Sequence, residues 1–98
     1  MEEKEILAEK IRAVHQRNKA RDVYDLWYLL TVKKIPVDIT LVHKKLSYHG
    51  IKFSRDAFLM KVEEKKQSWQ TDLSALVSGQ LLSFSKAEED IKQHFFEV

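Results

Sequence analysis

The stretch EKIRAVHQRNKARDVYDL, Glu9 to Leu26, decides how this chain folds. On a helical wheel with Ile6 at zero, Leu7, Ile11 and Val14 fall at about 100°, 140° and 80°. That spacing predicts a first helix over about Glu3 to Arg17, with its early glutamates at the positive end of the helix dipole. On the same wheel Lys10 falls at about 40° and Arg17 at about 20°, so both flank or enter the apolar stripe. Asn18-Lys19-Ala20 predicts a break, because the Asn side chain competes with helical hydrogen bonding. Val23, Leu26, Trp27 and Leu30 then mark a second helix over about Ala20 to Lys33.

Outward from this pair the chain continues as helices. Ile35-Pro36 stops the second one, since the residue before proline is pushed out of helical conformation. Asp38 predicts an N-cap for a third helix to Tyr48, packed by Ile39, Val42 and Leu46. His49-Gly50 ends it with a left-handed glycine. Ile51-Lys52-Phe53 reads as extended, and Ser54 caps a fourth helix from Arg55 to Lys66. Trp69, Leu73, Leu76 and Val77 give a further helical segment that Ser78-Gly79 breaks. Ser85 and Glu88 predict a capping box for a last helix ending in Phe95-Phe96.

Composition agrees. Two Gly and one Pro in 98 residues are too few breakers for a turn-rich β fold. The expectation is a single all-α domain over residues 1–98, a compact bundle of five or six helices. Absence of cysteine excludes disulfides and thiolate zinc sites and suits a cytoplasmic location. No run of about 18 apolar residues is present to span a membrane. The acidic opening MEEKE lacks the apolar stretch of a secretory signal.

The net charge of +2 is unevenly distributed. Lys10 to Arg55 holds eleven Lys/Arg against three acids, a balance of +8, and the rest of the chain carries −6. Such asymmetry marks either a surface for an anionic ligand or nucleic acid, or two solvated helical faces.

Three features bear on chemistry. Lys10 on a greasy helix edge either snorkels to water or has a partner, because a buried ammonium is costly unless paired. Asp22 and Asp25, three apart, project from one side of the second helix away from its Val23/Leu26/Leu30 stripe. They can hold a metal, orient a lysine, or be ordinary solvated acids of a first helical turn. Arg21 beside them can grip a phosphate bidentately or simply offset their charge. His15, His43, His49 and His94 lack metal-type spacing, and Trp27 and Trp69 read as core anchors. Lys33-Lys34 and Lys44-Lys45 are candidate contacts for a nucleic-acid backbone. No Gly-rich phosphate loop, nucleophile elbow or Ser/His/Asp arrangement is present.

The stretch EEKEILAEKIRAVHQRNKARDVYDLWYLL, Glu2 to Leu30, resembles the late motif of the AbiEii/AbiGii-type toxin nucleotidyltransferases, the toxin halves of a toxin–antitoxin class. The resemblance lies in an acidic lead-in, the Glu9-Lys10 pair, Arg17, Arg21-Asp22, and Asp25 three residues on. WQTDLSALV, Trp69 to Val77, is similar to that family's ending, in which a Trp and an Asp-Leu begin a helix against the core. The likeness covers nearly the whole chain.

The resemblance implies a nucleotidyltransferase whose other half carries a Gly-Ser or Gly-Gly turn and metal-binding aspartates. Those would hold Mg2+ and a nucleoside triphosphate for in-line transfer. This sequence shows neither element, so it looks like the C-terminal helical portion, expected to be inactive by itself. By the same carry-over Lys10, Arg17 and Arg21 contact nucleotide phosphate, and Asp22 and Asp25 orient Lys10. Implied partners are the N-terminal nucleotidyltransferase half or an antitoxin protein, with a homodimer also open. Two other readings stand beside it: a small helical protein-interaction module, and a basic nucleic-acid-binding domain using the Lys10–Arg55 region.

Overall fold

A computed structural model describes residues 2–74 and 82–95 of the chain. It is all-α, with no strand among the described residues. Helix α1 spans Glu3–Gln16 and α2 spans Ala20–Trp27, which runs on into a π-helical turn over Tyr28–Val32. The others are α3 (Ile39–Tyr48), α4 (Arg55–Glu64), α5 (Trp69–Ser74) and α6 (Phe84–His94). A radius of gyration of 12.8 Å matches the ~13 Å expected of a folded chain of about 100 residues.

One core runs through all six helices. Leu7, Ile11 and Val14 of α1 pack with Val23 and Leu26 of α2, and Val42 and Leu46 of α3 close the same cluster. On the other side Phe58 of α4 meets Phe95, with ring centroids 4.8 Å apart, and Trp69 lies edge-on to Phe84. Ile6 was expected in the stripe of α1 but is 36 % exposed, whereas Ala8 is buried. The buried face is therefore centred beyond Leu7, and the Lys10/Arg17 side is its margin. Leu76, Val77, Ser78-Gly79 and Phe96 lie outside the described residues.

Helix ends followed local chemistry in most places. Asp38 accepts from the Leu41 N–H at 3.1 Å, and Ser54 caps α4 by accepting from Ala57. Gly50, at φ +72°, supplies the left-handed residue after α3. The second helix does not stay α-helical to Lys33. Lys33 N–H bonds back five residues to Tyr28, and Ile35 N–H six residues to Leu29. Lys34 between them takes φ 56°. This is a widened version of a left-handed helix stop. It returns Ile35 to the core, where it is 5 % exposed beside the fully buried Leu30.

Helix α4 ends at Glu64, two residues before the expected Lys66. The expected capping box at Ser85 is a correction as well. Ser83 is the cap, accepting from Lys86 N–H at 3.2 Å, and Ser85 lies inside the helix. Starting there buries Phe84 against Trp69, and burial of an aromatic outweighs one reciprocal cap bond.

Two termini are capped from a distance, which no local pattern announces. The residue before α2 is Lys19, whose side chain gives no cap bond. Instead Asp72 of α5 accepts from the Ala20 N–H at 3.2 Å, across 52 residues. At the end of α1, the Lys65 ammonium donates to the Val14 carbonyl at 2.9 Å, where the helix dipole favours a cation.

Asp72→Ala is expected to lower stability by about 1 kcal/mol, read by denaturant unfolding, and to speed amide exchange at Ala20. Lys34→Gly should raise stability by up to about 1 kcal/mol, because a left-handed backbone costs glycine nothing; an unchanged midpoint would count against the strain at Lys34.

Candidate functional site

The charged residues picked out by sequence converge where α1 turns into α2. Lys10, one turn and a half before the end of α1, points across to α2. Its Nζ lies 2.8 Å from Asp25 Oδ2 and 3.5 Å from Asp22 Oδ1. Arg17 places Nε 3.4 Å from Asp22 Oδ2, at ion-pair distance but without hydrogen-bond alignment. Lys10 keeps 29 % of its side chain exposed, Asp25 34 % and Arg17 55 %, while Asp22 has 1 %.

That burial decides between the alternatives for the two aspartates. Asp25 is partly exposed. Asp22 is not an ordinary solvated acid of a first turn, because α1 lies over it. A buried carboxylate needs cationic partners, or it would carry an unrepaid desolvation cost. Lys10 and Arg17 meet that need, and Lys10 is held by carboxylates instead of snorkelling. The arrangement is a lysine oriented by two aspartates. Both acids stand at ion-pair distance from cations, and no cluster of three or more His, Asp or Glu that could hold a metal occurs among the described residues.

Arg21 is not brought into the cluster; it is exposed on α2, next to Asp22 in sequence only. The basic excess over Lys10–Arg55 is likewise not one continuous face. Glu9 pairs with Arg12 at 3.2 Å and with Lys45 at 3.5 Å. A cleft of about 470 Å³ lies between α1 and α3, lined by Glu5, Glu9, Leu41, Lys44, Lys45, Tyr48 and His49. Its walls do not include Lys10.

Four polar residues with structural weight escaped the sequence reading. Lys65 is 2 % exposed, and burial pushes its ammonium pKa down. Phe58, Val62 and Lys65 share the i, i+4, i+7 spacing, so the signal was present. His15 rests against the Phe53 and Phe58 rings. Its pKa is lowered first by burial and then by Lys61 and Lys65. The Trp27 indole N–H donates to Asp90 at 2.9 Å and is the main cause of a lowered Asp90 pKa. Trp27 is thus a half-buried anchor to α6, while Trp69 is a core anchor whose indole donates to the Leu82 carbonyl. Asp72, the acid of the second motif, caps the helix that carries Asp22 and Asp25.

A family model described as "Nucleotidyl transferase AbiEii toxin, Type IV TA system" matches residues 2–93. No curated protein and no solved structure matches the chain. No helix among the described residues is long and apolar enough to cross a membrane.

Asp22→Ala should cost about 2 kcal/mol, since it empties a buried position and removes the carboxylate shared by Lys10 and Arg17. Asp25→Ala, at a half-exposed pair, should cost less than about 1 kcal/mol. Equal losses in denaturant unfolding would contradict the burial contrast. For His15 the native pKa lies below its unfolded value of 6.5. The unfolded chain therefore binds more protons in that window. Stability is complete above pH 6.5 and falls as pH drops toward the native pKa. Unfolding midpoints from pH 7.5 to 5 should show this slope (as order-of-magnitude bounds of about pH 5–8 where histidine titrates), and His15→Gln should flatten it.

Proposed function

Because this chain belongs to the AbiEii nucleotidyl transferase family, we propose that it is the helical, nucleotide-side portion of such a toxin, with Lys10 as its phosphate contact. The observation that carries this reading is the setting of Lys10. Its ammonium is fixed by Asp25 and Asp22 yet remains partly open to solvent. Pairing with buried Asp22 gives Lys10 a role in the fold, and its partly open ammonium leaves room for a second one. A lysine held in one place on a rigid helix edge suits recognition of a point of negative charge.

In this reading Arg17, more than half exposed, adds a second phosphate donor. Arg21 lies exposed on the next helix and contributes long-range charge. Asp22 and Asp25 act on Lys10 and not on the substrate. The family chemistry calls for Mg2+ and a nucleoside triphosphate. The residues here suit the triphosphate; they do not suit the metal, whose carboxylates must come from elsewhere. Phosphoryl transfer rests on positioning and charge stabilisation around a metal, so this portion is inactive until that part joins it.

The joining partner is a protein in this reading, either the complementary nucleotidyltransferase half or an antitoxin, in the cytoplasm.

Titration with each nucleoside triphosphate, followed by calorimetry and NMR, tests the proposal. Saturable shifts at Lys10 and Arg17 are expected, with Lys10→Ala weakening binding at least tenfold while the fold persists. Binding that is indifferent to Lys10 and falls steeply with salt would favour a nucleic-acid surface instead.

A further inference from the structure

A second cleft, of about 360 Å³, opens between the end of α1 and the end of α4. We propose that it is a phosphate-binding site, distinct from the Lys10 face. His15, Arg17, Lys61 and Lys65 line it, with Glu64 as its acid. With His15 neutral, as its lowered pKa favours near pH 7, the walls carry an excess of positive charge.

Two buried groups there lack what they need. The Lys65 ammonium is 2 % exposed and has three protons to donate. One goes to the Val14 carbonyl; Glu64 and Asp22 act on Lys65 electrostatically, but neither stands at ion-pair distance from it among the described residues. A buried ammonium is costly without a counter-charge. His15 Nε2 is also buried, with no hydrogen-bond partner.

A tetrahedral oxyanion satisfies both. Its oxygens accept from Lys65 and Lys61, and from His15 in the tautomer protonated at Nε2. Arg17, 55 % exposed with its Nε toward Asp22, adds a guanidinium, the group whose planar fork phosphate favours. Glu64 opposes an anion, but it is 54 % exposed and only 3.7 Å from Lys61, so it can turn to solvent as phosphate takes its place. The Asp22 carboxylate separates this cleft from the nucleotide face, with one oxygen toward Lys10 and the other toward Arg17. The two proposals share Arg17 alone, and each can fail without the other.

The phosphate could be free, or a phosphodiester of a nucleic-acid strand. NMR titrations with inorganic phosphate, and separately with a short single-stranded RNA lacking terminal phosphates, distinguish these. Saturable shifts of the His15 ring and the Lys65 side chain with inorganic phosphate identify the free ion. The same shifts with RNA alone identify the backbone. In either case Lys61→Gln should weaken binding at least threefold, whereas Lys44→Gln, an exposed charge in the other cleft, should change it less than twofold. Absence of saturation with both ligands, shifts reproduced by chloride at equal ionic strength, or equal effects of the two variants would overturn the proposal.

Discussion

A buried carboxylate sets the terms for this molecule. Asp22 sits under α1 with almost no contact with water, and it is tolerable there only because cations from α1 and its end reach both of its oxygens. That requirement fixes how α1 and α2 lie against each other. Lys10 must stand opposite the first turns of α2, and Arg17 must leave the helix in an extended conformation to come round to the second oxygen. Apolar packing alone would allow the two helices to slide by a turn; a buried charge with two fixed partners would not.

The same corner gathers the helix ends. Asp72 from α5 caps the start of α2, and Lys65 from the turn after α4 caps the end of α1. Both motif segments that resemble the family thereby meet, through this hydrogen bond between residues 52 apart and through the Tyr24–Trp69 ring contact. Their residues support the bend as well as any ligand. Asp22 is more structural than Asp25, because burial makes its pairing obligatory, whereas Asp25 touches Lys10 from a half-exposed position.

Charge counting along the chain overstated the basic character of the first half. The aspartates that pair with Lys10 and Arg17 were already in that sum, but Arg12 and Lys45 converge on Glu9. Glu9 fell one residue outside the basic segment, so the linear sum missed the neutralisation. Conversely, Lys65 belonged to the acidic half by position but stands by the α1 terminus in space. Net charge over a window reports composition; local potential depends on which helices meet.

Most elements were legible in the sequence because their causes are local. Hydrophobic periodicity of 3.6, the Asp38 and Ser54 caps and the Gly50 turn each act within a few residues. The resemblance carried by Glu9-Lys10, Arg17, Arg21-Asp22 and Asp25 was legible for the same reason, as a pattern within two adjacent helices. The errors have a common origin. The π-helical turn, the start of α6 at Ser83, the burial of Asp22 and the remote caps by Asp72 and Lys65 all depend on what a different helix buries or donates. Thus the sequence by itself determined the helices, their stops and the group of charges at the bend. Only the tertiary structure decided which of those charges lost their water, because desolvation is set by neighbours distant along the chain.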